Sequence, residues 1–275
     1  MDLSPAPPAP CPPRPSVAAA VLGVLRVAAV GAVLVVGAVA VLAAACLPGR
    51  PGGAAPSEWA AVGVARALLG AMGVRLRVEG GAALQAHRGF VFFSHPSFLD
   101  PLALLAVRPL RFLAAAGVRR LPLVGPMATA LGTLYLDRGR GESRERARAA
   151  LREAVASSPV PVALAPEGRT SPGPGVLPLR RGAFEVAAEA GAPVLLVALS
   201  VEPRNRTLWR EGEWLTAPLW RVCARRGPLV ATVRALRPAL DAGRPGAAAE
   251  AERRLNAALG VRPAPTARSG GAVAA

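Results

Sequence analysis

The stretch Phe92-Phe93-Ser94-His95-Pro96-Ser97-Phe98-Leu99-Asp100-Pro101 places a histidine five residues before an aspartate. An imidazole that donates one ring nitrogen to a carboxylate is fixed in one tautomer and becomes a better base, which deprotonating an alcohol near neutral pH requires. No Gly-x-Ser-x-Gly turn supplies a protein nucleophile, so the hydroxyl to be activated is the substrate's. On a regular helix Asp100 would lie about 140° round from His95, and pairing therefore needs His95 outside the helix. The following proline favours this, because it pushes His95 out of helical conformation and is itself at home in a first helical turn. By spacing alone, a surface histidine capping a helix is the commoner arrangement, and other elements must decide.

Two further segments carry polar chemistry at the ends of apolar runs. Leu131-Gly132-Thr133-Leu134-Tyr135-Leu136-Asp137-Arg138 reads as a turn, a strand and a terminal arginine, and Ala165-Pro166-Glu167-Gly168-Arg169-Thr170-Ser171 as a strand end with a tight polar loop. Arginines at strand ends offer a planar fork of donors suited to phosphate.

The elements that would position these residues alternate. Apolar runs at Arg75–Val78, Gly89–Phe93, Thr133–Leu136, Val160–Ala165 and Val194–Leu199 predict strands, several continuous enough for burial on both faces. Pro96–Val107, Ser143–Ala156 and Gly182–Ala190 predict helices between them, and the alternation predicts an α/β domain, a single mixed or largely parallel sheet flanked by helices, over residues 73–240. Ahead of it, residues 1–16 are a proline-rich tail expected to be disordered, and 17–47 are apolar apart from Arg26. The uncharged part, Val27–Leu47, has the length of about 20 residues that crosses a bilayer core. It exceeds a signal-peptide core of about 7 to 15 residues, so a retained membrane anchor helix is expected. Residues 48–72 form a Gly/Pro hinge and a helix capped by Ser57, lying in the membrane interface or packed on the domain. A C-terminal helix near Ala247–Leu259 and a disordered end complete residues 241–275.

Composition limits the partners. The chain is 52% hydrophobic with a net charge of +16 over 275 residues, and its mean hydropathy is +0.38. All its strongly basic residues are arginines, scattered along the chain with few aromatics between them, which favours a membrane surface or a phosphorylated substrate over nucleic acid. Arg50, Arg66, Arg75 and Arg77 follow the apolar run, and this bias predicts a cell-membrane protein with its domain on the cytoplasmic side. Cys11, Cys46 and Cys223 have no spacing suited to zinc or a disulfide framework, and with two histidines no metal site is expected.

In this order and spacing the segments resemble the glycerolipid acyltransferase family that includes the 1-acylglycerol-3-phosphate acyltransferases and other lysophospholipid acyltransferases. Its blocks run Asn-His-x4-Asp, Gly-x-x-Phe-Ile-x-Arg, Phe-Pro-Glu-Gly-Thr-Arg-Ser and a Val-Pro-Ile-x-Pro-like strand. They match Ser94 to Asp100, Gly132 to Arg138, Pro166 to Ser171 and Ala192 to Val197, and Leu177 to Phe184 resembles the segment after the third block. Ser94 stands for the usual Asn, and Arg169-Thr170 inverts the usual Thr-Arg, which moves the guanidinium by one residue and nominates Arg180 or Arg181 to take over the phosphate contact of Arg169. The resemblance implies His95 as catalytic base and Asp100 as its partner. It implies Gly132, Arg138, Glu167, Gly168, Arg169 and Thr170 as substrate-binding positions. It further implies acyl transfer from acyl-CoA or acyl carrier protein to the free hydroxyl of a lysophospholipid, most simply 1-acylglycerol-3-phosphate, at a membrane and without a cofactor. A different lysolipid acceptor, or a non-catalytic lipid-binding protein of the same fold, is the alternative.

Overall fold

The computed structural model describes residues 16–137, 141–171, 173–204, 207 and 213–261. The proline-rich tail before Ser16 and the end after Val261 therefore lie outside the described residues, as does Arg138.

Helix α1 (Val17–Ala45) is followed by a turn of 3-10 helix (Pro51–Gly53) and α2 (Pro56–Ala71). Then come β1 (Val74–Glu79), α3 (Gly81–Ala86), β2 (Phe90–Phe93), α4 (Asp100–Leu105) and β3 (Arg111–Ala115). After a second 3-10 segment (Ala116–Arg120) the chain forms α5 (Val124–Ala130), β4 (Leu134–Leu136), α6 (Gly141–Ser157) and β5 (Val162–Leu164). It closes with α7 (Arg181–Glu189), β6 (Val194–Glu202), α8 (Thr216–Cys223), β7 (Leu229–Leu240) and α9 (Ala247–Ala258).

The seven strands form one sheet in the order β1-β7-β6-β2-β5-β3-β4. Strands β6, β2, β5, β3 and β4 run parallel, while β7 is antiparallel to β6 and takes β1 parallel alongside it. All four residues of β2 are buried, and their alternation explains why. Val91 and Phe93 enter the core shared with α1, α2, α4 and α8. Phe90 and Phe92 enter the opposite core, under α6, α7 and α9. A strand covered on both faces has no use for polar alternation, and each fully buried Phe stabilises the fold by about 1.5–3 kcal/mol.

Three local expectations are corrected. Helix α4 starts at Asp100 and not at Pro96, because the Asp100 carboxylate accepts the Ser97 N–H at 2.7 Å and makes Ser94–Leu99 a loop. Helix α2 is capped at Ala55 and not at Ser57: Pro56 takes the first helical position, and the Glu58 carboxylate reaches back to the Ala55 N–H at 2.6 Å. That leaves Ser57 buried. Strand β7 and strand β3 were not anticipated from the sequence pattern.

Helix α1 is long and apolar enough to cross a bilayer, yet it packs along its length on the rest of the chain. A Cβ on Gly23 would meet Ala224, and one on Gly37 would meet Val64 at 2.8 Å. Between them the Arg26 guanidinium donates to the Cys223 and Arg225 carbonyls at 3.1 and 2.8 Å. The other face exposes Val17, Val21, Val24, Leu25, Val35, Val36 and Val39. Helix α2 fills the space between α1 and the sheet domain, with Ala61, Ala65, Leu68 and Leu69 buried.

Candidate active site

The polar residues converge at the C-terminal ends of the parallel strands. His95 leaves β2 and the loop Ala165–Ser171 leaves β5, its immediate neighbour, which is where open α/β sheets place ligands. Ser94 is tied back to the next strand, its Oγ accepting the Leu199 N–H at 2.8 Å. His95 is then gripped by its main chain: its N–H donates to Glu167 Oε1 at 2.8 Å, and its carbonyl accepts the Ser171 N–H at 2.8 Å.

With the backbone fixed, the ring is turned to Asp100. Nδ1 of His95 lies 2.9 Å from Asp100 Oδ2, which also accepts the Ser97 N–H. A carboxylate partner assigns the proton to Nδ1 and leaves Nε2 as the base. The histidine side chain is 22% exposed and the aspartate 1%, so the partner is shielded while the ring remains reachable. Burial pushes the Asp100 carboxyl above its ordinary pKa, and the donors His95 and Ser97 act against that shift. Phe93 meets the imidazole edge to face, with centroids 5.9 Å apart.

A cavity of about 800 Å³ opens from His95. Gly168, Arg169, Thr170 and Arg180 line its polar part, and its long apolar part runs between α1 and α2 on one side and β3 and α5 on the other, past Leu34, Val64, Phe112 and Met127. Arg148 also borders it but is paired with Glu185 and Glu189 at 3.0 and 2.6 Å. The space has the shape of a site for a long alkyl chain whose reactive end lies at a base and a cationic rim.

The site residues expected from sequence divide accordingly. His95 and Asp100 come together, and Gly168, Arg169 and Thr170 face the cavity. Glu167 does not line it. Its carboxylate is buried, with Oε2 accepting the Leu177 N–H at 2.8 Å, and burial raises its pKa against these hydrogen bonds. Gly132 turns the chain at φ 71° between the lining residues Leu131 and Thr133. Gly168 has φ 74°, and a Cβ there would collide with the Arg180 guanidinium, so the glycine lets that arginine reach the rim. Of the nominated pair, Arg180 lines the cavity, whereas Arg181 begins α7 and does not. Sequence reasoning missed the walls given by α1 and α2. The signal was present in Gly37, Ala61 and Ala65, small residues at the spacing that lets two helices approach closely.

Residues 75–200 match the model of a family described as Acyltransferase. A 1-acyl-sn-glycerol-3-phosphate acyltransferase of Neisseria meningitidis serogroup B is 34% identical over 140 residues, 51% of this chain and 54% of that protein. A lyso-ornithine lipid O-acyltransferase of Pseudomonas aeruginosa is 34% identical over 136 residues, 48% of this chain and 50% of that protein. The chain thus spans about half the length of the curated relatives it matches. The crystal structure of the 1-acyl-sn-glycerophosphate acyltransferase from Thermotoga maritima has the same fold, with a TM-score of 0.64 at 16% identity over 90% of this chain and 98% of that one.

Proposed function

From the premise that this chain carries an acyltransferase-family domain at residues 75–200, we propose that it moves a fatty acyl group from a thioester, acyl-CoA or acyl carrier protein, to the free hydroxyl of a lysophospholipid. The observation that carries this reading is the His95–Asp100 pair at the cationic end of a long apolar cavity. Nε2 of His95 takes the acceptor's hydroxyl proton as the oxygen attacks the thioester carbonyl. The tetrahedral intermediate collapses with cleavage of the C–S bond, and His95 returns the proton to the departing thiolate. The thioester is already activated, so the reaction needs no cofactor.

A phosphate on the acceptor, as in 1-acylglycerol-3-phosphate, is favoured by Arg169 and Arg180 at the cavity rim. The two relatives described above are equally identical to this chain and carry different acceptors in their names, so the arginines and not the degree of likeness support this choice.

The apolar cavity and the outer face of α1 both favour work at a membrane. A helix of 29 residues is about 44 Å long. Docked over that length on the domain, with Arg26 held mid-helix by protein carbonyls, it lies along the bilayer surface with its exposed valines in the lipid. The arginines that follow it favour the cytoplasmic face.

The test is an assay of the full chain with both thioester types and a panel of lysolipids, beside His95→Ala. Transfer to lysophosphatidic acid that falls by about 10² to 10⁴ in the variant is expected. Absence of transfer from either donor, or full turnover in His95→Ala, would overturn the reading.

A further inference from the structure

A second cavity lies at the opposite edge of the sheet, where the loops enter β2, β3 and β5. It has a volume of about 160 Å³ and is lined by Gly52–Ala54 and Trp59, by Gln85–Arg88, by Arg108 and Pro109 and by Pro159 and Val160. Its charged groups are Arg88 and Arg108, and among the described residues no carboxylate borders it. The two guanidiniums are close enough for the charge of Arg88 to add to burial in lowering the Arg108 pKa.

The fold explains only part of this arrangement. Nη1 of Arg108 caps the C-terminus of α3, donating to the Leu84, Gln85 and His87 carbonyls at 2.6, 2.8 and 2.8 Å. Its Nε is buried with no partner. Arg88 is exposed and makes a single long contact, 3.5 Å to the Pro159 carbonyl, with no ion pair among the described residues. Acidic residues elsewhere collect arginines: Glu58 takes Arg50 and Arg111, and Glu189 takes Arg148 and Arg152. Two neighbouring arginines at one pocket, neither with an acid partner among the described residues, are stabilised by an anion that reaches both.

We propose that this pocket binds a phosphate group, held between Arg88 and Arg108 beneath Trp59. A tetrahedral dianion matches two guanidiniums in charge and can accept from forks arriving at different angles. The volume of about 160 Å³ admits one phosphate with residual water. The site is not the catalytic one, since the whole of β2 separates its loops from His95. Two sources share this chemistry: free inorganic phosphate, and a phosphomonoester lipid headgroup reached from the α1 side, where Trp59 is 40% exposed. The inference does not depend on the acyl-transfer reading.

The experiment follows thermal unfolding of the full chain in detergent with inorganic phosphate titrated against chloride at equal ionic strength. A saturable stabilisation specific to phosphate is expected, since a ligand bound only by the native state raises the melting temperature. Arg88→Gln should need about tenfold or more phosphate for the same shift, as a charge-assisted hydrogen bond is lost. Ala86→Glu, which places a carboxylate at the pocket, should remove the response. Arg169→Gln, at the catalytic cavity, should keep it. Flotation with phosphatidylcholine vesicles, with and without phosphatidic acid, separates the sources. Weaker phosphatidic-acid-dependent binding in Arg88→Gln assigns the headgroup, and binding equal to wild type assigns the free anion. No shift beyond chloride together with Arg88-independent vesicle binding overturns the site, as does an equal shift in the wild type and both pocket variants.

Discussion

Glu167 holds His95 by its backbone N–H at 2.8 Å, across 72 positions of sequence, while its second oxygen takes the Leu177 N–H. The glutamate therefore staples the β5 loop to the loop that carries His95. In Glu167→Gln one of these two N–H groups faces an amide donor in place of an acceptor, at a cost of about 1–3 kcal/mol. The expected result is a lower melting temperature and a reduced kcat with an unchanged acceptor KM. A rise in acceptor KM alone would show that the carboxylate contacts substrate.

Asp100→Asn keeps the shape of the side chain and removes the charge that supports the imidazolium formed during catalysis. Turnover should fall by about 10² to 10⁴, with the far-UV spectrum unchanged. Rate measurements across pH separate the effect from misfolding, because a residual rate should depend on pH differently once the partner of His95 is neutral.

Asp100 and Glu167 both have pKa values raised by burial. The native chain then binds their protons more readily than the unfolded chain does, so stability falls as pH rises from the ordinary carboxylate range through the raised values. Denaturant unfolding over this window should show that slope, and it should be shallower in Asp100→Asn. In the proposed reaction activity should run the other way, since His95 is supported there by an ionised Asp100. A flat stability profile would contradict the assigned direction.

Replacing Arg169 or Arg180 by Lys preserves charge but removes the planar fork. For a phosphate acceptor, either change should raise the acceptor KM several-fold while the donor KM stays constant. If neither does, the acceptor carries no phosphate at this rim.

Gly37→Leu forces α1 away from Val64, where even a Cβ would stand at 2.8 Å. Because α1 and α2 form a wall of the cavity, the variant should lose activity while its sheet domain stays folded. Limited proteolysis should then cut first between α1 and α2. Wild-type activity in this variant would show that the wall is dispensable.

The His95–Asp100 pair was legible because its surroundings are local: a buried strand, a proline and an aspartate within ten residues fix them. Strands β2, β5 and β6 were legible for a related reason, as burial on both faces leaves uninterrupted apolar runs. Strand β7 carries Arg234, Arg237 and Pro238 because its far end is exposed, which masks the strand pattern. The inward turn of Glu167 was hidden because its partners lie 72 residues before it and 10 after it. No local rule tells a carboxylate that serves a substrate from one that serves a backbone.

The docking of α1 also has a consequence in time. The carbonyl of Arg225 that receives the Arg26 guanidinium is made 199 residues later, and strand β1 likewise waits for β7. At a synthesis rate of about 5–20 residues per second, the helix exists for about 10 to 40 seconds before the carbonyls that hold Arg26 have been polymerised. During that interval α2, and later α5, can cover its inner face near Gly37, but the end around Gly23 and Arg26 lacks its partner α8. The order of synthesis therefore lets α1 and α2 pair first, and the sheet domain completes itself against a helical pair already formed.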